Sequence, residues 1–243
     1  MWFALDPENP LIRAARDAGQ PCGWYPDGVL MLSDGATVLP LIAARDVPLC
    51  LGGAARYNIE NALAAALAAL ALGLPDAAIH KVLAGFRSDP VDNPGRANEF
   101  GVNGARVFVD FAHNPHSIAA ITSALAALPA RRRYLLLSHA GDRSDGDIVD
   151  LVTGAFAFHP DVVVVTENPK YLRGRALGEV PALMRRRCRE LGLAPAKILA
   201  ADRPAEAAEM ILNRVGPGDL ALLLVHDDRD KIFAMLQERG RAV

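Results

Sequence analysis

The spacing of hydrophobic positions changes twice along this chain. Over the first fifty residues apolar side chains come in short runs, such as Val29-Leu30-Met31-Leu32, set between turn signals at Pro26-Asp27-Gly28 and Ser33-Asp34-Gly35. The run Asp6-Pro7-Glu8-Asn9-Pro10 reads as non-helical, because each Pro removes a donor and restricts the residue before it. A β-meander ending near Pro48-Leu49-Cys50-Leu51 is predicted. From Arg56 the period becomes helical and continues to Leu72, where Gly73 stops it; Asn58 and Asn61 lie three apart on one face. A second helix is predicted from Pro75-Asp76 to Gly85-Phe86. The segment Asp89-Pro90-Val91-Asp92-Asn93-Pro94-Gly95 collects breakers and reads as a hinge between two domains.

Beyond it, short apolar runs alternate with amphipathic ones. Strands are predicted at Arg106 to Phe111, Tyr134 to Ser138, Val162 to Thr166, Lys197 to Leu199 and Leu220 to Val225. Helices follow them at Pro115 to Leu128, Asp145 to Phe158, Ala176 to Leu191, Pro204 to Val215 and Asp230 to Arg239. Such alternation implies an α/β domain with a mainly parallel sheet covered on both faces. Ligands bind such sheets at the carboxyl ends of the strands, so the loops there are where chemistry is sought.

Composition narrows the function classes. The chain has 243 residues, 51% of them hydrophobic and 22% charged, with 26 Lys+Arg against 28 Asp+Glu. A net charge of -2 predicts no nucleic-acid or membrane-surface binding from the global field, and the apolar fraction excludes disorder over most of the chain. The longest uninterrupted apolar run, Ala62 to Leu72, falls short of the roughly 20 residues that span a bilayer. Met1-Trp2-Phe3 carries no basic leader region, and Cys22, Cys50 and Cys188 lack metal-like spacing, so a reducing, cytoplasmic setting is expected. His80, His159 and His226 are scattered without ligand-like pairing, and solvent-exposed or core roles are expected for them rather than metal binding.

The first strand of the second domain runs into Asp110-Phe111-Ala112-His113-Asn114-Pro115. An Asp at a strand end can accept from ribose hydroxyls, and Asn114 before Pro115 reads as a helix cap that points free backbone donors at an anion. Equally, Asp110 and Asn114 can simply cap the helix and close the turn.

The order of several segments goes further. A helix with two Asn (Asn58, Asn61), then Gly95-Arg96, then the Asp110 to Pro115 loop resembles the Mur ligase superfamily, whose ATP-dependent ligases carry these features in this order. Asp6 to Pro10, Asp92 to Arg96, Gly141-Asp142-Arg143-Ser144-Asp145 and Leu172-Arg173-Gly174-Arg175 with Gly178-Glu179 look like its cyanophycin synthetase group. The resemblance implies that residues 1–92 are the later portion of the family's central ATP-binding domain and that 93–243 are its Rossmann-like C-terminal domain. It also implies amide-bond formation through an acyl phosphate, with ATP and Mg²⁺ as cofactors and an amino acid or peptide as substrate.

Carried over by position, Asn58 and Asn61 would lie near the nucleotide base, Arg96 would reach the phosphates across the hinge, and Asp110 would hold the ribose. His113 and Asn114 would sit on the ligand side, with Arg96 and His113 as catalytic residues. Tyr57 stands where the family usually has His. The loop Thr166-Glu167-Asn168-Pro169-Lys170 is similar to an Asp-Asn-Pro-Arg segment that helps bind the incoming amino acid; with Glu and Lys replacing Asp and Arg, a bidentate carboxylate grip is not implied. Asn168, Lys170, Arg173 and Arg175 are the substrate-binding candidates, whereas Arg185, Arg186 and Arg187 read as a solvated helix face.

The chain has four lysines, at 81, 170, 197 and 231, and none follows Gly or precedes Ser or Thr. The phosphate loop Gly-x-x-x-x-Gly-Lys-Ser/Thr is therefore not among its motifs. Two expectations follow: the C-terminal part of a longer ligase, inactive alone and complemented by a P-loop domain, or a non-catalytic nucleotide- or substrate-binding regulatory module derived from that family.

Overall fold

The computed structural model describes residues 1–91 and 93–242. Two compact units result, Met1–Arg87 and Ser88–Val243. Asp92, where the domain boundary is expected, lies outside the described residues, as does the terminal Val243.

The first unit is a four-stranded sheet, in order β1 (Trp2–Ala4), β2 (Cys22–Trp24), β3 (Val29–Ser33) and β4 (Val38–Ala43). The antiparallel run β2–β3–β4 is the predicted meander. It is preceded by a helix that the pattern does not predict, α1 (Pro10–Asp17), which joins β1 to the parallel β2. Pro10 starts this helix instead of blocking it: at the first helical position its missing N–H has no partner to lose, and the Asn9 side chain accepts from Leu11 N. Pro48–Gly53 is a pair of 3₁₀ turns broken by a kink at Leu51 and Gly52, both at positive φ, and not strand.

Two helices complete the unit, α2 (Arg56–Ala71) and α3 (Asp76–Gly85), close to their predicted bounds. On α2 the buried positions Ile59, Ala62, Leu63, Ala66 and Leu67 repeat every three to four residues and pack with Leu30, Leu32 and Ile42 of the sheet. All three cysteines are free and buried; burial pushes the Cys50 thiol up to about 11 and Cys188 up to about 12, which marks them as core residues.

The second unit is a seven-stranded sheet. Its strands are β5 (Asn98–Val102), β6 (Ala105–Asp110), β7 (Arg133–Ser138), β8 (Val162–Thr166), β9 (Ile198–Ala201), β10 (Leu220–Leu224) and β11 (Gly240–Ala242), arranged β11-β5-β6-β10-β7-β8-β9. From β6 to β9 every pair is parallel, as the βα alternation predicts; β5 and β11 add an antiparallel edge that the pattern misses. The intervening helices are α4 (Pro115–Ala126), α5 (Asp145–Ala155), α6 (Glu179–Glu190), α7 (Pro204–Leu212) and α8 (Arg229–Arg239).

Alternation along the strands divides these helices between the two faces. Val107, Val109, Leu136, Val164 and Leu223 share one core with α7 and α8. Phe108, Leu135, Val163 and Leu222, buried on the opposite side of the same strands, leave the other face to α4, α5 and α6, which pack side by side. Among the described residues no helix is long and apolar enough to cross a membrane.

Candidate functional site

Strands β6, β10, β7 and β8 end almost level, with Leu224 paired to Asp110 and Ser138 to Thr166. The chain leaves β6 for α4 on one face and leaves the adjacent β10 for α8 on the other. A crevice therefore opens at their carboxyl ends, the position at which open α/β sheets take ligands. Four loops meet there, following β6, β7, β8 and β10.

Asp110 ends β6 and is almost fully buried. Its Oδ2 accepts from Ala97 N at 2.8 Å and its Oδ1 from Ala112 N at 2.7 Å, so the carboxylate ties two backbone segments together. Burial pushes its pKa above the ordinary carboxylate value, against those amide bonds and the nearby charge of Arg96. Asn114 caps α4: its Oδ1 accepts from Ser117 N at 2.9 Å, and Ser117 Oγ closes the reciprocal bond. The exposed His113 places Nδ1 3.0 Å from the Phe111 carbonyl. Because a carbonyl only accepts, Nδ1 is the donor in this contact. Arg96 is exposed beside the left-handed Gly95 and Ala97, and its carbonyl accepts from Ser88 Oγ.

Asn98 organises the breaker-rich segment before β6. Wholly buried, it donates to the Ser88 and Asn93 carbonyls at 2.9 Å each and accepts from Gly95 N at 2.6 Å. Nothing in its local pattern announces this, since its partners are brought round by the turn itself.

The loops after β7 and β8 are locked to each other. Gly141 N donates to the Tyr171 carbonyl at 2.8 Å, and a Cβ on Gly141 would run into the Leu172 carbonyl. Arg175 closes the lock, donating to the Gly141 and Arg143 carbonyls and to the carboxylates of Asp145 and Glu179. The structure thus gives Arg175 four intramolecular acceptors. Glu167 is buried and spends one oxygen on Asn168 N at 3.0 Å and the other on Gly178 N at 2.8 Å. Lys170 pairs with Asp227 of the β10 loop at 2.7 Å, and this bond raises its pKa. Arg173 is exposed, adopts φ 49°, and holds its guanidinium 5.7 Å from the Tyr171 ring.

Two histidines complete the crevice. His226, expected to stand apart, places Nε2 2.8 Å from the Ala112 carbonyl and Nδ1 3.1 Å from Ser138 Oγ, and its ring lies 6.5 Å from His113 and 6.1 Å from His139. Burial pushes its pKa down to about 4, so it is neutral and bridges the β6 and β7 loops across β10. His139, whose pKa burial also lowers, directs Nδ1 to the Ala140 carbonyl at 3.2 Å. Sequence reasoning missed His139 altogether. The only signal was its place directly after a parallel strand.

A cavity of about 280 Å³ opens between these loops, with Phe111, His113, His139, Asn168, Tyr171 and Arg173 among its walls. Asn168, Arg173 and His113 are thus brought together, while Lys170 borders a neighbouring cavity of about 350 Å³ with Asp227. Asn58 and Asn61 belong to the first unit: Asn61 Nδ2 donates to Asn58 Oδ1 at 3.3 Å, and Asn58 Nδ2 to the Leu49 carbonyl at 2.7 Å. Among the described residues no three His, Cys, Asp or Glu side chains converge as metal ligands.

A family model described as "Mur ligase, glutamate ligase domain" matches residues 95–224, more than half of the chain. Cyanophycin synthetase of Trichormus variabilis is 32% identical over 183 residues, covering 75% of this chain and 20% of that protein. A murein peptide ligase of Psychrobacter arcticus has the same fold, with a TM-score of 0.59 at 16% identity over 98% of this chain and 45% of its own. Folylpolyglutamate synthase of Mycobacterium tuberculosis, solved in complex with ADP, gives 0.57 at 23% identity over 88% of this chain and 45% of its own. The chain spans 20% to 25% of the length of the cyanophycin synthetases it matches.

Proposed function

Since the chain belongs to the Mur ligase family through its glutamate ligase domain, we propose that it supplies the substrate-facing C-terminal part of an ATP-dependent ligase that joins the amine of an amino acid to a carboxylate. The observation that carries this reading is the meeting of His113, Asn168 and Arg173 around one cavity at the carboxyl edge of the sheet. ATP with Mg²⁺ would supply the phosphoryl group that activates the carboxylate as an acyl phosphate.

The residues of this chain do not fit a complete triphosphate site. None of the four lysines lies in a phosphate-loop motif, and no metal-ligating cluster is found among the described residues. We therefore assign the phosphates and Mg²⁺ to a complementing P-loop domain and expect this chain alone to be inactive.

What the chain contributes is positioning and charge. Arg96 offers an unburied guanidinium to an anion, and Asp110 holds the segment that carries it through Ala97 N. His113 borders the cavity with its imidazole. Asn114, as the cap, fixes the amino end of α4 beside it. Asn58 and Asn61 are the base-facing residues of the first unit. Asn168 and Arg173 take the amino acid; Lys170 joins them only if its bond to Asp227 opens, and Arg175 acts by holding their loop in place.

Amino-acid-dependent phosphate release from ATP tests the reading, with the purified chain alone and with a P-loop polypeptide of a related ligase. No turnover alone and turnover in the mixture is the expected result. Turnover by the chain alone, abolished in Asp110→Ala, overturns the assignment of the phosphate site. ATP binding without turnover in any mixture would instead favour a regulatory nucleotide-binding module.

A further inference from the structure

The ion pair between Lys170 and Asp227 joins two loops across the carboxyl edge of the sheet at 2.7 Å, and its partners are unequal. The Asp227 side chain is 11% exposed, and its Oδ1 also accepts from Asp228 N at 2.8 Å, so its own turn fixes it in place. Burial pushes the Asp227 carboxyl up, but the bonds from Lys170 and Asp228 N outweigh it and hold the group below its ordinary value, which keeps the pair charged at neutral pH. The Lys170 side chain is 64% exposed, and among the described residues its ammonium makes no other ion pair. Its charge rides on a flexible four-carbon stem. Asp227 is therefore the dock, and Lys170 the moving arm.

The arm is rooted between the two cavities. Its neighbour Tyr171 lines the 280 Å³ cavity together with Arg173, while Lys170 itself borders the 350 Å³ cavity with Asp227. Phe111 and His226 line both cavities and so form the wall between them. The backbone at the root is held, because Tyr171 N donates to the Asn168 carbonyl and the Tyr171 carbonyl accepts from Gly141 N, each at 2.8 Å. Rotation of the side chain, without movement of the loop, is enough to carry the ammonium away from its dock. An ammonium neutralised by one carboxylate attracts a second one weakly, so any anion that approaches Lys170 competes with Asp227 for it.

We propose that the Lys170–Asp227 ion pair is an autoinhibitory latch: Asp227 occupies the ammonium in the ligand-free chain, and an amino acid binds by exchanging its own carboxylate for that of Asp227. One ion pair opens as another forms, so the latch lowers affinity without abolishing it. The proposal rests on the reading of the β8 loop as the amino-acid side of a ligase, and adds how that side is restrained.

Because the chain has only four lysines, the latch can be read directly. Trace acetylation of the full chain with acetic anhydride, scored at each lysine by peptide mass spectrometry, measures how free each amine is. In the parent, Lys170 is expected to react about threefold or more slowly than Lys81 and Lys197, which are exposed and not ion-paired among the described residues, and in Asp227→Asn at their rate. Calorimetric titration with each of the common L-amino acids completes the test. The amino acid that binds is expected to bind Asp227→Asn about threefold to tenfold more tightly than the parent, and to restore the protection of Lys170 in that variant. In a Lys170→Met background, Asp227→Asn should leave the affinity nearly unchanged. Equal labelling of Lys170 and Lys197 in the parent, equal affinity of the parent and Asp227→Asn, or the same gain without Lys170 each overturns the latch and leaves the amino-acid reading standing. If no amino acid binds either form, that reading fails and the latch falls with it. Labelling of the parent alone still decides the matter if a variant does not fold.

Discussion

The loops after β6 and β8 occupy equivalent places at the sheet edge, yet they use polar side chains in opposite ways. Asp110 and Asn114 are bound into their own backbone, with both Asp110 oxygens and the Asn114 carbonyl engaged by backbone amides. Asn168, more deeply buried than either, has no hydrogen-bond partner for its side chain among the described residues. A paired buried polar group fixes geometry; an unpaired one keeps hydrogen-bonding capacity in reserve. The first loop is scaffold for the crevice, and the second holds its unspent chemistry.

Three measurements bear on this contrast. The largest effect is expected from Gly141→Ala, which sets a methyl against the Leu172 backbone carbonyl and forces the β7 and β8 loops apart. A backbone cannot swing aside as a side chain can, so urea denaturation should show a loss of about 3 kcal/mol or more. A loss below about 1 kcal/mol would show that these loops are not locked.

Asp110→Ala comes next. It strips two backbone amides of a charge-assisted acceptor and should cost roughly 2–3 kcal/mol, with faster hydrogen exchange at Ala97 and Ala112. Asp110→Asn keeps one acceptor and should recover about half of that. Unchanged exchange at both amides would remove Asp110 from the scaffold.

The smallest effect is on pH dependence. His226 titrates at about 4 when folded against 6.5 ordinarily, so between those values the unfolded chain takes up a proton that the native chain refuses. Its contribution is complete above pH 6.5 and is lost as the pH falls toward 4, by roughly 2 kcal/mol after allowance for its partial exposure. His113 and His139 face the same ring and repel its charged form. His226→Gln should flatten the slope over that window; an unaltered slope would mean that the bridge between the β6 and β7 loops is not built on a neutral imidazole.

Much of the fold was legible in the sequence, and the residues show why. The parallel strands are short runs of Val and Leu between amphipathic helices, and α2 carries its buried face at helical spacing, so local period was enough. Helix α1 escaped because Pro7 precedes it and Pro10 opens it, and a proline is compatible with a helix only at its start, a matter of one position. Strand β5 alternates buried and half-buried residues but opens on the buried Asn98 and contains Gly101, which hides its apolar face. Within the site, Asp110, His113, Asn114 and Asn168 were visible because each closely follows or ends a strand. Lys170, a substrate-binding candidate, also pairs with Asp227, 57 residues away, a pairing with no signature along the chain.

By itself, then, the sequence determined which segments are strand or helix, where each strand ends, and which polar residues stand at those ends. These follow from backbone preference and side-chain period, both properties of neighbouring residues. Only the tertiary structure decided that β10 enters the sheet between β6 and β7. That insertion carries His226 to Ala112 and Ser138, and places it beside His113 and His139. The order of strands is settled by how two helical layers cover both faces of one sheet, a balance struck over the whole unit that no local stretch of chain can express.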